Sequence, residues 1–180
     1  MRGKLTLSPG CLIFTAILVS FLSTVAVGQR PKAPKALLDA IDPDDRSCVT
    51  QEGLDKSVTV QPVRLANDGS RQLLIRGAGL CLCGAQNCGF WIYRKRGDGY
   101  QLLLKGAGSV TVKAARQMNK GYRDITSESH ASAIETIVRT YRFDGQQYQL
   151  QRCVVRAYYD EQGGRIKTPR YHPCEEQPKS

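Results

Sequence analysis

The chain has little of the chemistry that marks an enzyme. Only two histidines occur, His130 and His172, and no Gly-x-Ser-x-Gly sequence places a serine nucleophile on a sharp turn. Two glycine-rich stretches, Gly77-Ala78-Gly79 and Gly106-Ala107-Gly108, lack the following helix signature that a phosphate-binding loop needs. The sequence therefore predicts no catalytic residue and no cofactor.

A hydrolase built on His130 is a further hypothesis. Ser127 and Ser129 precede this histidine, and Asp124 and Glu135 lie nearby, so a trio of serine, histidine and acid can be drawn. Because the stretch is polar, a solvated loop histidine is the simpler interpretation. An alanine change at His130 that left an assayed activity intact would remove the hypothesis.

The N-terminal apolar run is too short to span a membrane. Cys11 to Leu22 has twelve residues, whereas a spanning helix needs about 20. Arg2 and Lys4 precede this run and Ala26-Val27-Gly28 follows it, an order typical of a signal peptide over residues 1–28. Loss of the two basic residues lowers the formal net charge from +10 to +8. We expect a basic protein that is secreted or periplasmic.

The remaining chain is interpreted as one domain behind a short leader. Residues 29–45 form the leader, in which Lys35 to Ile41 predicts a short helix with Pro34 at its first position. Asp42-Pro43-Asp44-Asp45 is expected to end that helix. Residues 46–180 are expected to form a single β domain.

Apolar residues recur at a period of two from Val58 onward, which is typical of half-buried strands. We expect a mainly β fold, an antiparallel meander that forms a small sandwich or a partial barrel of two similar halves, with helix only in the leader. The eight predicted strands are Val58–Leu65, Gln72–Arg76, Phe90–Arg96, Tyr100–Lys105, Ser109–Ala114, Tyr122–Ser127, Ile134–Phe143 and Tyr148–Tyr159.

One predicted hairpin is central to this fold. Gly97-Asp98-Gly99 separates two strand-like runs and supplies the positive φ that tight turns need. In the first strand, Trp91 and Tyr93 share one face, and Phe90 and Ile92 share the other. Such a strand is expected inside a sheet that is covered on both sides, or sealed on one side by a disulfide loop.

Six cysteines follow the predicted signal peptide, and an even number in an exported chain predicts disulfides. A loop at Gln162–Arg165 would pair Glu161 with Ile166 on adjacent antiparallel strands. The same register places Cys153 opposite Cys174, at a distance that a disulfide accepts. We therefore predict a Cys153–Cys174 bridge.

Two pairings remain open for the other four cysteines. The first joins Cys83 to Cys88 across a tight loop and leaves Cys81 for Cys48. The second joins Cys81 to Cys88 and Cys48 to Cys83. Zinc binding at Cys81-x-Cys83-x4-Cys88 is disfavoured, because structural zinc prefers paired C-x2-C knuckles and export favours oxidised sulfur. No metal site is predicted.

The chain contains a faint internal repeat. Asn67–Leu73 aligns with Asn119–Ile125, and Tyr93–Tyr100 aligns with Tyr141–Tyr148. Each unit would be a loop of the Asn-x-Gly type, a short strand and a hairpin closed by Asp-Gly. A period of about 50 residues built of hairpins is typical of propeller blades.

At these residues, within Arg64–Leu150, the chain resembles the FG-GAP or VCBS-type repeats of secreted bacterial proteins, which are β blades with a calcium loop rich in Asp, Asn and Gly. The resemblance implies an extracytoplasmic β fold. Arg64 and Ala66 lie where that loop carries acids, and Lys120 replaces an acid in the second copy. Since calcium needs 6 to 8 oxygen ligands, calcium binding is not expected here.

The basic residues suggest a binding surface. Arg152, Arg156 and Tyr158 share one face of a predicted strand, and such a face suits an anionic polymer. A solvated face that keeps an exported protein soluble is the other interpretation. The basic residues that recur across the predicted strands are Arg64, Arg71, Arg76, Arg94, Lys95, Arg96, Arg152 and Arg156.

We expect a non-enzymatic domain that binds a protein or an anionic envelope polymer, not nucleic acid. The alternative is an inhibitor of an extracellular hydrolase that inserts the loop Gly84–Asn87, which would then protrude. The aromatic part of the binding face requires exposed rings, and a buried Trp91 would belong to the core. The predicted binding residues are Trp91, Tyr93, Arg94, Arg96, Tyr100, Arg152 and Arg156.

Overall fold

The structure is a computed structural model that describes residues 31–47, 49–50, 53–84, 86–160 and 162–174. The predicted signal peptide and Cys48 lie outside these ranges. Within them, two antiparallel sheets form, one of which curves into a half-barrel. The strands are β1 Val58–Val63, β2 Gln72–Gly77, β3 Cys88–Arg96, β4 Gly99–Ser109, β5 Thr111–Asn119, β6 Tyr122–His130, β7 Glu135–Phe143, β8 Tyr148–Tyr159 and β9 Arg165–Pro173.

Both sheets are meanders, which confirms the predicted fold class. The first sheet has the order β1-β2-β3-β4 and the second has the order β5-β6-β7-β8-β9. The repeated segments occupy equivalent positions: Asn67–Leu73 leads into the second strand of the first sheet, and Asn119–Ile125 leads into the second strand of the other. The two hairpins are the third and fourth strands of each sheet. The fold is thus made of two similar halves, with β9 added to the second.

Helix is not confined to the leader. Three single-turn helices occur in the described residues, α1 Leu37–Ala40, α2 Pro43–Arg46 and α3 Leu54–Ser57. The leader helix is shorter than predicted and ends at Ala40, before the segment expected to end it. That segment also begins α2, with Pro43 in its first turn, where the missing N–H costs nothing. Single turns carry no 3.6-residue periodicity, so the sequence pattern did not reveal α2 or α3.

Strand β3 is interior and covered on both faces, as predicted. Trp91 and Tyr93 pack with Leu37 and Leu54 of the helical layer. Phe90 and Ile92 pack on the other side with buried residues of the second sheet, Ile125 among them. The molecule is therefore layered, with helices on one side of the first sheet and the second sheet on the other. No helix among the described residues has the length and hydrophobicity to cross a membrane.

Two predicted disulfides are confirmed. Cys83 is bonded to Cys88 and Cys153 to Cys174, with S–S distances of 2.04 and 1.93 Å. The swapped pairing is therefore excluded. Cys81 is also disulfide-bonded, but the predicted partner Cys48 lies outside the described residues. Disulfides persist in oxidising compartments, so the bridges favour an extracytoplasmic location.

The register of β8 and β9 is confirmed in part. Val154 lies opposite Pro173 and Ala157 opposite Arg170, as the Cys153–Cys174 pairing requires. Nearer the turn the register shifts, because Tyr159 lies opposite Arg165. The expected pairing of Glu161 with Ile166 falls on a residue outside the described ranges. The amide of Asp160 donates to the carbonyl of Gly164 at 2.9 Å, and the amide of Gly164 donates to the carboxylate of Asp160 at 2.7 Å, so these two residues close the turn.

Candidate functional site

The predicted aromatic face requires a correction. Trp91 is 3% exposed and Tyr93 is 1% exposed. The indole nitrogen of Trp91 donates to the carbonyl of Ala40 at 3.1 Å, and the Tyr93 hydroxyl lies 3.4 Å from the carbonyl of Ala36. Burial raises the pKa of Tyr93, with a smaller contribution from the charge of Asp39. Both rings belong to the core and hold the leader against the sheet.

Strand geometry explains why the predicted face is divided. Trp91 and Tyr93 point to the helical layer, whereas Arg94 and Arg96 alternate to the other face of β3. Tyr100 lies opposite Lys95 rather than opposite either arginine, and it is 38% exposed. The predicted residues therefore contribute to two opposite faces of the first sheet, not to one.

The two arginines meet at a neutral side chain on the next strand. Gln101 of β4 lies opposite Arg94, and its Oε1 accepts from Arg94 Nε at 2.9 Å and from Arg96 Nη1 at 3.2 Å. Arg94 Nη1 also lies 3.4 Å from the hydroxyl of Tyr122. The Nε2 of Gln101 lies 3.5 Å from the carbonyl of Gln146. One amide thus holds two guanidinium groups side by side.

A rigid loop before β2 forms the facing wall. Gln72 is fully buried, and its Oε1 accepts from the amides of Leu65 and Ala66 at 2.9 and 3.2 Å. Its Nε2 donates to the hydroxyl of Ser70 at 2.8 Å. Asp68 accepts the amide of Ser70 at 2.8 Å. These bonds fix the loop that carries Arg71.

Together these elements line a groove of about 590 Å³, which we call the basic groove. Its only lining carboxylate among the described residues is Asp68. The hydroxyl and amide of Ser70, followed by weaker contributions that include the charge of Arg94, lower the pKa of Asp68. Positive charge therefore exceeds negative charge in the groove. Its lining residues are Asp68, Ser70, Arg71, Arg94, Lys95, Arg96 and Tyr122.

Arg152 and Arg156 lie away from the groove, on β8 of the second sheet. Arg156 Nη2 is 3.4 Å from Glu128 Oε2, and its guanidinium lies over the ring of Tyr158 at 5.4 Å. Arg152 is exposed. The expectation that Arg152, Arg156 and Tyr158 share one strand face agrees with the register of β8.

The serine, histidine and acidic residues considered around His130 do not lie together as a catalytic trio would. His130 lies on the opposite face of β6 from Ser127 and Ser129, because strand residues alternate. Ser129 Oγ accepts from Arg139 Nη1 at 2.8 Å. Asp124 is buried, and it accepts from Asn119 at 2.6 Å and lies 3.6 Å from Arg142 Nε.

The disulfide loop Gly84–Asn87 is tied to the second sheet at its C-terminal end. Asn87 Nδ2 donates to the carbonyl of His130 at 2.9 Å, and its Oδ1 accepts the amide of His130 at 2.9 Å. The amide of Gly84 donates to the carbonyl of Asn87 at 2.9 Å. Gly84 and Gln86 are exposed. This end of the loop does not stand free.

Sequence reasoning named Arg71 and Lys95 only as basic residues and missed Gln101 and Tyr122. Gln101 carried a usable signal, because a two-residue turn at Gly97-Asp98 places it opposite Arg94. No sequence signal pointed to Tyr122, because its approach to Arg94 depends on how the two sheets pack. Comparisons with protein-family models, curated proteins and solved structures give no match.

Proposed function

We propose that this is an exported, non-enzymatic domain that binds an anionic polymer through the basic groove. The observation that carries the proposal is the sharing of one neutral acceptor, Gln101 Oε1, by Arg94 and Arg96. Two like charges held together without a carboxylate between them repel each other in the free protein. An oxyanion would relieve that repulsion, so the arrangement favours anion binding.

The geometry suits a polymer that carries carboxylate, sulfate or phosphate groups. Arginine presents five N–H donors in a planar fork, and Arg94 and Arg96 use only part of this set on other described residues. Arg71, which also lines the groove, is exposed. The remaining donors can bind oxygen pairs on successive units of a chain.

Export is part of the same proposal. The N-terminal sequence is typical of a signal peptide, and the disulfides suit an oxidising compartment. The anionic polymer would then be a component of the cell envelope or of the surroundings of the cell, and an acidic polysaccharide fits this description.

Charge reversal tests the groove. The double variant Arg71→Glu with Arg96→Glu should bind dextran sulfate at least about tenfold more weakly than the wild type, a loss of about 1.4 kcal/mol. The matched control is Lys35→Glu with Lys56→Glu, which makes the same charge change on the helical layer, where both lysines are exposed. Isothermal titration calorimetry at several salt concentrations measures the affinity, and circular dichroism checks the fold.

Equal affinities for the groove variant and the control would reject the groove as the binding site. Binding that is weak in the wild type and insensitive to salt would reject anion binding altogether, because screening weakens exposed charge interactions.

A second candidate function is inhibition of an extracellular hydrolase. We propose it for the loop before β3, where Leu80 is 97% exposed while its neighbour Leu82 is buried. Cys81 and the Cys83–Cys88 bridge restrict this loop, and a pre-ordered loop loses less entropy on binding. Wild-type protein should inhibit a secreted hydrolase at a one-to-one ratio, and Leu80→Asp should not. The absence of inhibition across a panel of such hydrolases would reject this candidate.

A further inference from the structure

The second sheet has an outer face that the core does not use. Ile125 of β6 and Tyr141 of β7 are paired and buried against the first sheet. Residues one position along each strand point the other way. Thr126 and Thr140 are such a pair, and Lys113 and Arg152 continue their row on the flanking strands. The register thus places four residues from four strands in one line on the outside.

This row ends in a cation on each side. Lys113 and Arg152 are exposed, and neither forms an ion pair with another described residue. Three spacings between adjacent strands, each about 4.8 Å, separate them by roughly 14 Å. The side chains of Thr126 and Thr140 between the two cations are short and half-buried, so they do not protrude from the sheet. An extended chain can therefore lie between the two cations.

Aromatic rings flank the same face. Arg156 is held between Glu128 and the ring of Tyr158, so its charge is largely compensated within the protein. Tyr171 of β9 lies opposite Arg156 and is 56% exposed. Tyrosine rings combine an apolar face with a hydroxyl, a combination that suits sugar rings and their polar substituents.

A cleft of about 350 Å³ lies at the end of this face, and its lining includes His130, Thr136, Tyr158 and Arg165. Its carboxylate, Glu135, lies 3.5 Å from the hydroxyl of Ser132 and 3.9 Å from Nε2 of His172. Arg165 is exposed and forms no ion pair with the rest of the described chain. The cleft therefore has a cation available for a ligand.

Strand β6 connects the cleft to the basic groove. Tyr122, its first residue, lines the groove, and His130, its last residue, lines the cleft. Eight steps of about 3.3 Å separate these residues by roughly 26 Å. A short anionic fragment cannot reach both places, whereas a longer chain can.

We infer that the outer basic surface, defined by Lys113, Arg152, Tyr158, Arg165 and Tyr171, is a second contact surface for the anionic polysaccharide that the groove binds. The inference rests on the proposed function. A chain longer than about 26 Å reaches from the groove to the cleft end of this surface, so its further contact becomes intramolecular and its affinity exceeds that of a short fragment. A cleft beside the cations favours a narrow chain over a membrane, because a bilayer surface cannot enter it.

The experiment compares short and long fragments of dextran sulfate, on either side of this length. Arg152→Glu with Arg165→Glu should lower the affinity for long fragments at least about tenfold and leave the affinity for short fragments unchanged. The groove variant should lose affinity for both. Lys35→Glu with Lys56→Glu is the control of equal charge.

The outcomes separate the two proposals. The second surface alone is rejected if two results occur together. The surface variant and the control have equal affinity for long fragments, and the groove variant has a lower affinity for short fragments. If the groove variant keeps its affinity for short fragments, the groove itself is rejected. Two results together would overturn the inference and indicate a membrane as the partner. The wild type would bind anionic phospholipid vesicles while the surface variant would not, and the affinity for dextran sulfate would not depend on fragment length.

Discussion

A single neutral residue controls the electrostatics of the basic groove. Gln101 accepts hydrogen bonds from Arg94 and Arg96 and holds them in a common orientation. A glutamate in its place would accept the same two hydrogen bonds from the arginines, lose the 3.5 Å contact of Nε2 with the carbonyl of Gln146, and add the negative charge that the pair lacks. Gln101 is therefore a positioning residue. Its replacement by glutamate changes the charge of the groove while the orientation of the two arginines is kept.

Replacement of Gln101 by glutamate should weaken anion binding without harming the fold. In Gln101→Glu the carboxylate compensates both guanidinium groups, so we expect the affinity for short dextran sulfate fragments to fall at least about tenfold. The melting temperature should stay the same or rise. Calorimetry measures the first effect and thermal unfolding the second.

Gln61→Glu is the matched control, because Gln61 is exposed on β1 and its change adds the same charge. An equal loss of affinity in both variants would mean that net charge matters and that Gln101 has no positioning role. A lower melting temperature in Gln101→Glu alone would mean that the glutamine supports the fold.

At the scale of elements, the turn between β7 and β8 depends on Asp144. Its Oδ1 accepts the amides of Gln146 and Gln147 at 2.8 and 2.9 Å, and its Oδ2 accepts from the side chain of Gln149 at 3.0 Å. These bonds, with that from Gln147 the largest, lower the pKa of Asp144 to about 2. The ionised carboxylate therefore stabilises this hairpin.

This pKa sets a pH range for the contribution of the turn. Because the folded pKa of about 2 lies below the unfolded value of about 3.9, the stabilisation is present above about pH 4 and is lost as the pH falls toward 2. Asp144→Asn should therefore show a smaller decrease in free energy of unfolding between pH 6 and 2.5 than the wild type. Urea unfolding at both pH values measures this difference.

Asp98 offers a control in the equivalent Asp-Gly turn between β3 and β4, where no hydrogen bond to its carboxylate occurs among the described residues. Asp98→Asn should keep the pH dependence of the wild type. If Asp144→Asn also kept it, the carboxylate of Asp144 would not stabilise the turn.

One predicted strand shows what periodicity cannot detect. Ser109–Ala114 was predicted as a single strand, yet Ser109 ends β4 in the first sheet and Thr111 begins β5 in the second. The amide of Val110 donates to the carbonyl of Glu128 at 2.7 Å, which joins the corner to β6. The alternation of side chains continues through such a corner, so the change of sheet leaves no mark on the pattern.

At the scale of the whole molecule, packing decides which conspicuous residues are available to a partner. Phe90 approaches Gly106 so closely that a Cβ at this glycine would lie 1.9 Å from the ring. Phe90, Trp91 and Tyr93 of the first sheet are buried in the core, whereas Tyr100 of the same sheet stays 38% exposed. The resemblance to FG-GAP or VCBS-type repeats stays a prediction.

The sequence by itself determined the β content, the positions of most strands within a few residues, the two similar halves and the Cys153–Cys174 bridge, and it left Cys83–Cys88 as one of two open pairings. These properties depend on local periodicity, turn residues and short-range register, which neighbouring residues along the chain specify. Only the tertiary structure decided that Trp91 is core and that Tyr122 of the second sheet meets Arg94 of the first in the basic groove. Residues far apart in the chain meet there because two separate layers pack against the same sheet, and no local pattern records that packing.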